Sequence, residues 1–346
     1  RQTGGLTAHP KKTNEETGMG SYRMWAAGIA ALALSAGQAA QAAPGEAFPT
    51  KMVRIVVPFT AGGLADVLAR GLAQELGVRW SQPVIIENRP GANTIIAAEY
   101  VARSQPDGYT LLMANDPTLS SNQYLYRKLP YDPVKSFTPV AGVAQTREIL
   151  LVAKDFPVQS VADLVAQAKA RPGHVTYGSY GPGSKAHLDA AAFSAQAGIE
   201  LNHVPYKGVA DVMTALAGGQ INMAMVGVPP SIPMVKGGKV RLLAVAAPQR
   251  IVAFPDTPTF AELGFPQMVS QSWFGLVAPA GTPPAVVADI AAAVRQVIAQ
   301  PTFQEKTITS VGLEPLDLGP DAFARFLERD RQEYEHVIRG LNVKLD

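Results

Sequence analysis

The chain has 346 residues, of which 47% are hydrophobic and 17% are charged, and it contains no cysteine. This composition is typical of a folded protein, and it excludes disulfides, thiolate catalysis and cysteine metal sites. The formal net charge of +2 arises in residues 1–42, which carry four basic and two acidic side chains and leave 26 of each sign for the rest. A neutral body offers no basic stripe, so we expect no nucleic-acid partner.

Residues 19–42 are typical of a secretory signal peptide. Arg23 precedes a short apolar core at 25–36, and Ala40-Gln41-Ala42 places small residues at the cleavage site. The apolar run is shorter than the roughly 20 residues that a membrane span requires, so we expect cleavage after Ala42 rather than anchoring. Residues 1–18 precede the first methionine and are interpreted as an upstream extension or artefact.

The first part of the body alternates between strand and helix patterns. Strands are predicted at 51–59, 84–87 and 109–114, and helices at 64–76 and 95–102. Such alternation is typical of βαβ units and a parallel sheet. A long β-branched stretch at 140–153 has no helix of its own, and we expect it to cross between two lobes.

The same alternation then repeats. Strands are predicted at 175–177, 203–205, 223–226 and 240–246, with helices at 160–169, 186–197, 210–217 and 231–236; a strand at 272–277 returns to the first lobe, and helices at 285–299 and 321–339 close the chain. The predicted domains are therefore residues 44–146 with 270–346 as lobe 1, and residues 147–269 as lobe 2.

Two stretches share one design of strand, glycine turn and helix. They are VRIVVPFTAGGLADVLAR at 53–70 and VTYGSYGPGSKAHLDAAAF at 175–193. Glycines free the backbone to turn, Thr60 supplies a hydroxyl, and Ser184 is placed to cap the second helix. Unpaired N–H groups and the helix dipole favour an anion there, so two cradles are predicted to close on one small carboxylate or phosphate.

Other chemistries are less well supported by the residues. GPGSKA at 181–186 fits the loose GxGxxA dinucleotide pattern, but no acidic residue ends the next strand. Ser184 and His187 are three residues apart, which keeps a serine hydrolase open as an alternative. The five histidines form no zinc-binding pair, so we expect no metal and no cofactor.

With these motifs placed, the chain resembles the tripartite tricarboxylate transporter substrate-binding proteins, also called the Bug (Bordetella uptake gene) family. The resemblance covers residues 48–346, and its motifs are PFTAGGLADVLAR (58–70), ENRPGA (87–92), PDGYTLL (106–112), LPYDP (129–133), YGSYGPGSKAHL (177–188), HVPYKG (203–208), PDTPTFAELG (255–264) and APAGTPP (278–284).

This resemblance implies a two-lobed α/β periplasmic binding protein of type II, a "Venus flytrap" in which each lobe is a mostly parallel sheet flanked by helices. It implies a non-enzymatic monomer that captures a small carboxylate and delivers it to the membrane components of a transporter. The implied ligand-binding residues are Phe59, Thr60, Gly62, Gly63, Asp66, Ser179, Gly181, Gly183, Ser184 and His187, with Asn115 and Asp211 as weaker candidates. Arg147 is a candidate from the sequence itself, because it interrupts an apolar strand near the expected crossing and could pair with a distal carboxylate of the ligand.

Some alternatives stay open on the sequence. Asp66 could stabilise its own helix, and Arg147 could form an internal ion pair instead of meeting a ligand. The family often continues NRPGAGG, whereas Asn93 and Thr94 follow here, so the entry to the next helix could differ. The ligand could be an aliphatic di- or tricarboxylate, an amino acid or an aromatic acid, and the protein could instead be a sensor module for a signalling partner.

Overall fold

The computed structural model describes residues 48–341 and residue 345. The predicted upstream extension and signal peptide, residues 1–18 and 19–42, lie outside this part of the chain. The described residues form the predicted α/β fold, in which helices flank a mixed sheet.

Ten strands are present in the described chain: β1 (Val53–Val57), β2 (Val84–Asn88), β3 (Thr110–Asn115), β4 (Phe137–Ala153), β5 (Val175–Ser179), β6 (Leu201–Pro205), β7 (Met223–Gly227), β8 (Val240–Val245), β9 (Gln271–Pro279) and β10 (Glu314–Leu318). The α-helices are α1 (Leu64–Trp80), α2 (Ile95–Ala102), α3 (Asn122–Leu125), α4 (Val161–Ala170), α5 (Lys185–Ala197), α6 (Val209–Ala217), α7 (Val228–Lys236), α8 (Pro284–Ile298), α9 (Pro301–Phe303) and α10 (Pro320–Leu341).

Most predicted elements are confirmed to within a few residues, and helix α2 has the predicted bounds. Helix α4 begins after Ser160, whose hydroxyl accepts the Asp163 N–H at 3.1 Å, as a capping residue does. Strand β10 was not predicted. Its sequence EPLDL is short and contains a proline, and it forms by pairing antiparallel to β4, a long-range contact that local pattern does not reveal.

The sheet contains two groups of three parallel strands. Its order is β2-β1-β3-β9-β4-β7-β5-β6, with β8 and β10 also pairing with β4. Strand β4 connects the two groups, because its residues 137–147 pair with β9 and its residues 148–152 pair with β7. The predicted lobe boundary at residues 146 and 147 lies at this change of partner, and the assignment of residues to two lobes stays a prediction.

Strand direction brings the two parallel groups end to end. Strand β9 is antiparallel to both β3 and β4, so β1 and β3 have the same direction as β4. Strands β5 and β7 have the opposite direction to β4. Asn115, at the end of β3, pairs with Phe274, which also pairs with Ala144 of β4. Gly227, at the end of β7, pairs with Glu148. The carboxyl ends of both groups therefore point toward residues 144–148 of β4.

Separate hydrophobic clusters support the two groups. Helices α1 and α8 pack against β1, β3 and the first half of β4 through Leu68, Leu72 and Ile290, which are fully buried. Helices α4 and α5 pack against β5 and the second half of β4, where Leu164 and Phe193 are fully buried. Ordinary burial of apolar side chains thus fixes each strand group and the helix that follows its central strand.

Candidate functional site

The first loop, residues 59–63, joins β1 to α1 and lies at the carboxyl end of its strand group. Gly62 has a φ of +83°, a left-handed conformation that suits glycine, and a Cβ there would meet no heavy atom within 4 Å. Gly63 caps α1 with extended backbone. The Phe59 ring packs partly buried against the hydrophobic cluster, and Thr60 is exposed. This loop therefore borders open space at the edge where the strands end.

Asp66 fixes the conformation of the first loop. Its side chain is 3% exposed and accepts hydrogen bonds from Gly62 N (2.9 Å), Arg70 Nε (2.8 Å) and Asn88 Nδ2 (2.9 Å). The hydrogen bond from Arg70, followed by those from Gly62 and Asn88, outweighs burial and lowers the pKa of Asp66 to about 2. These contacts support the stabilising role that the sequence left open, while a ligand contact stays a prediction.

The second loop, residues 179–184, joins β5 to α5 in the same way. Gly181 and Gly183 have φ values of +117° and +74°, and a Cβ at Gly181 would meet open space. Ser184 occupies the predicted capping position, but its hydroxyl donates to Gly181 O at 2.6 Å and makes no cap hydrogen bond. Ser179 is fully buried at the start of the loop and accepts the Gly181 N–H at 3.2 Å.

Three rings lie beneath the second loop, and we call Tyr177, His187 and His203 the ring stack. The imidazoles of His187 and His203 are 4.3 Å apart and nearly parallel, and Tyr177 stacks on His203 at 4.9 Å. His187 Nδ1 accepts the Gly183 N–H at 3.0 Å, which places the ring proton on Nε2. Burial, with a smaller contribution from His203, lowers the pKa of His187 to about 4, so the ring is neutral at pH 7.

The remaining predicted residues lie at or near the same edge. Asn115 is buried at the end of β3, and its Oδ1 accepts the Thr118 hydroxyl at 2.6 Å. Asp211 is exposed in the first turn of α6. Arg147 lies where β4 changes partner and contacts Gln271 Oε1 at 2.5 Å and Glu314 Oε2 at 3.7 Å. Arg147 thus makes the internal ion pair, and a ligand role for any of these residues stays a prediction.

The arrangement does not assemble the hydrolase alternative. Ser184 Oγ donates to Gly181 O, and His187 Nδ1 accepts a backbone N–H, so neither contact joins the two side chains as nucleophile and base. The serine–histidine pair that does form is Ser179 Oγ with His203 Nε2 at 2.6 Å. Because Ser179 is fully buried, its hydroxyl does not face a substrate.

A buried charged cluster beside Glu148, where β4 changes partner, was missed by the sequence analysis. Lys185 Nζ contacts Asp189 Oδ1 at 2.9 Å and lies 5.0 Å from the centre of the Tyr334 ring, whose hydroxyl donates to Asp116 Oδ2 at 2.8 Å. Glu148 Oε2 is buried and has no hydrogen-bond partner among the described residues. The i,i+4 spacing of Lys185 and Asp189 is readable in the sequence, but their meeting with the other side chains depends on the fold.

Burial shapes the charges of this cluster. It raises the pKa of Asp116 to about 7, and with the Asp189 charge it raises the pKa of Glu148 to about 8. Burial disfavours the charge of Lys185, but the carboxylates of Asp189, Glu148 and Asp116 together raise its pKa above the ordinary value. The lysine is therefore held as a cation among carboxyl groups and is not free to meet a ligand carboxylate.

The segment before α2, where the sequence left the entry to the helix open, carries unusual backbone. Ala92, Asn93 and Thr94 all have positive φ, at +46°, +46° and +76°. Side-chain contacts hold Asn93 and Thr94, because Asn93 Nδ2 donates to Asn122 Oδ1 at 2.7 Å and the hydroxyl oxygens of Thr94 and Thr118 lie 3.0 Å apart. Left-handed backbone at non-glycine residues costs free energy, and these contacts offset part of that cost.

Within the part of the chain that the structure describes, no group of three or more His, Asp or Glu side chains is arranged to hold a metal ion. None of the described helices is both long and apolar enough to cross a membrane.

The sequence model of the "Tripartite tricarboxylate transporter family receptor" matches residues 65–343. "Protein BugT" of Bordetella pertussis is 32% identical over 301 residues, which cover 87% of this chain and 92% of that protein.

Two solved structures are similar over nearly their whole length. One is Rpa4515 of R. palustris with adipate, which is 36% identical with a TM-score of 0.79 and covers 86% of this chain and 100% of that one. The other is MatC (Rpa3494) of Rhodopseudomonas palustris with bound malate, which is 31% identical with a TM-score of 0.74 and covers 84% of this chain and 100% of that one.

Proposed function

Because this chain belongs to the tripartite tricarboxylate transporter receptor family, we propose that it binds a small organic carboxylate between two lobes and delivers it to the membrane components of a transporter. The observation that carries this proposal is the opposed direction of the two parallel strand groups. It points the first and second loops toward the same stretch of β4, with the N-termini of α1 and α5 behind them.

Neutral donors suit the capture of a carboxylate at such an edge. The positive ends of α1 and α5 favour negative charge, and hydroxyl and backbone donors can bind oxygen atoms without a cation. The nearby cations support binding by neutral donors, because each of them already contacts a carboxylate of the protein: Arg70 contacts Asp66, Arg147 contacts Glu314 and Lys185 contacts Asp189. We propose that the ligand is held by donors of the two loops and sequestered when the lobes close.

The relatives with adipate and malate make aliphatic dicarboxylates the first ligands to test. Purified protein would be heated alone and with adipate, malate, citrate, glutamate and benzoate, with dimethyl adipate as the uncharged control. An acid at 100 times its Kd stabilises the fold by about 2.7 kcal/mol, which raises Tm by about 5 °C. Calorimetric titration would then give Kd for each acid that shifts Tm.

A shift with one or more acids and none with the diester would support a carboxylate receptor. A shift of equal size with the diester would contradict recognition of the carboxylate. If no acid shifts Tm, the protein would be denatured and its supernatant examined for a released acid, and the absence of any acid would overturn the proposed function.

Hydrolysis assays distinguish the receptor from the alternative of a serine hydrolase. The family is one of receptors, and the Ser184 and His187 side chains make separate contacts with backbone groups. We expect no hydrolysis of ester or amide substrates by the wild-type protein and none by Ser184→Ala. Turnover that disappears in Ser184→Ala would instead establish an enzyme.

We further propose that the protein is periplasmic and monomeric. The predicted signal peptide and the family membership support export. Expression in a Gram-negative host should yield a periplasmic protein whose mass corresponds to a chain beginning at residue 43, and light scattering should give the mass of one chain. A cytoplasmic, uncleaved protein or a stable dimer would contradict these two statements.

A further inference from the structure

The second loop is held at both ends by imidazoles that stack on each other. At its start, Ser179 Oγ lies 2.6 Å from His203 Nε2. Near its end, Gly183 N–H donates to His187 Nδ1 at 3.0 Å. The two rings are 4.3 Å apart with an interplanar angle of 9°. A displacement of either ring would therefore move the other ring and its contact at the opposite end of the loop.

The sheet register explains why His203 reaches the loop. His203 of β6 lies directly opposite Tyr177 of β5, and Ser179 is two residues farther along the same strand, so its side chain lies on the same face as Tyr177. Helix α5 brings His187 over that face. The ring stack is thus built from three separate elements, and Tyr177 supports His203 from the side.

Ser179 transmits the position of His203 to the glycines. The Ser179 oxygen accepts the Gly181 N–H at 3.2 Å, its hydroxyl donates to Gly181 O at 3.1 Å, and its oxygen lies 2.6 Å from His203 Nε2. Because Ser179 is fully buried, no water replaces a lost partner, and an unsatisfied hydroxyl there is costly. Removing Nε2 would free the hydroxyl to reorient and would loosen the turn at Gly181.

We propose that His203 is a positioning residue of the second loop, acting with His187 to hold Ser179 and Gly183 in the conformation that receives the ligand carboxylate. This inference rests on the proposed function and assigns His203 no contact with the ligand. Its role is to limit the conformations of a glycine-rich segment before the ligand arrives, which lowers the entropy that binding must overcome.

Two variants separate the hydrogen bond of His203 from its packing. His203→Phe keeps a ring for the stack and removes Nε2. His203→Gln sacrifices the ring but places a polar side-chain end near the former Nε2. The matched control is His174→Gln, since His174 is an exposed histidine in the turn before β5. Far-ultraviolet circular dichroism would show that all three variants fold.

The first measurement needs no ligand. Amide hydrogen exchange of Gly181 and Gly183 would be compared in the wild type and the three variants. We expect about tenfold faster exchange in His203→Phe, and rates within about threefold of the wild type in His203→Gln and His174→Gln. Wild-type exchange in His203→Phe, or equal acceleration in the Phe and Gln variants, would overturn the positioning role.

The second measurement is the Kd for adipate and malate by calorimetry. We expect His203→Phe to weaken binding about tenfold and His203→Gln to restore most of the affinity. Unchanged Kd in His203→Phe would overturn the inference while leaving the proposed function intact. If the wild type binds neither acid, the proposed function fails for these probes, and the exchange experiment still decides whether His203 positions the loop.

Discussion

The two loops are built on one backbone plan but are held by opposite chemistry. In each, the third residue of the following helix accepts the N–H of a left-handed glycine four residues earlier: Asp66 accepts from Gly62, and His187 accepts from Gly183. The first acceptor is a carboxylate bound to Arg70, and the second is a neutral imidazole stacked on another imidazole. The same turn can therefore be fixed by a charge or without one.

This difference matters because both loops are proposed to meet an anion. The helix dipole favours the Asp66 carboxylate in the first turn of α1. The contact with Arg70 offsets the negative charge of Asp66, which reduces its repulsion of a ligand carboxylate. The second loop has no such cation for its own acceptor, since the Lys185 ammonium contacts Asp189. A neutral acceptor at position 187 holds the loop without repelling a carboxylate, and the predictions below test this contrast from the largest expected effect to the smallest.

The largest effect is expected at Gly183. Its φ of +74° disfavours other residues, and a Cβ would lie 2.8 Å from Leu345 Cδ1 and 3.0 Å from Leu125 Cδ1. We expect Gly183→Val to abolish measurable acid binding in calorimetry, with Gly183→Ala weakening it less. The control is Gly198→Ala, which has a φ of +60° but meets no heavy atom within 4 Å. Wild-type affinity in Gly183→Val would remove the second loop from the site.

The next effect tests charge at the equivalent helix position. His187→Asn keeps an oxygen acceptor for Gly183 N–H, whereas His187→Asp makes the second loop resemble the first. We expect His187→Asp to weaken binding of adipate about 30-fold through repulsion between carboxylates, and His187→Asn to weaken it less than about fivefold. Raising the ionic strength should recover part of the loss in His187→Asp.

A smaller loss in His187→Asp than in His187→Asn would contradict the contrast between the loops. Equal losses in the two variants would contradict it too, and would mean that the His187 ring acts through packing. Thermal unfolding without ligand supplies the control, because both variants should show similar Tm if the Gly183 contact is kept.

The sequence alone predicts the backbone plan but not the partners that fix it. Gly62, Gly183 and the helix starts are visible because glycine and strand-to-helix patterns are local signals. The spacing of Asp66 and Arg70 is also local. Asn88, at the end of β2, reaches Asp66 of α1 because β2 pairs with β1, and His203 reaches Ser179 only because β5 and β6 pair in one particular register. Such long-range contacts depend on strand pairing, which local propensity leaves undetermined.

Ser184 illustrates the limit within a single loop. A serine before a helix normally accepts an N–H of the first turn, and its position was predicted correctly. The left-handed Gly181 and Gly183 instead bring Gly181 O within 2.6 Å of the hydroxyl, which becomes a donor. The conformation of neighbouring glycines decides the role of the serine, and that conformation cannot be read from residue type.

The loops should also lose stability in different pH ranges. His187 has a pKa of about 4 in the folded protein and an ordinary value of 6.5, so the unfolded chain takes up the proton first and stability falls as the pH drops from 6.5 to 4. Asp66 has a pKa of about 2 against an ordinary 3.8, so its contribution is lost between pH 3.8 and 2. Burial also lowers the pKa of His203, which adds to the first range.

Urea unfolding at each pH checks this assignment. The difference in unfolding free energy between wild type and His187→Asn should change between pH 6.5 and 4 and stay constant above that range. A difference that is independent of pH throughout would mean that His187 is not held neutral by the fold.

The smallest effect is expected at Arg70, whose side chain is 53% exposed. Its hydrogen bond is the largest cause of the low pKa of Asp66, but Gly62 and Asn88 also bind that carboxylate. We expect Arg70→Met to leave Kd for adipate within about twofold and to raise the pKa of Asp66 toward 3.8, so that less stability is lost as the pH falls below 3.8. The control Arg103→Met removes a comparable i,i+4 pair with Glu99 in α2. If Arg70→Met weakened binding tenfold while Arg103→Met did not, Arg70 would contact the ligand directly, and the first loop would use a cation where the second uses none.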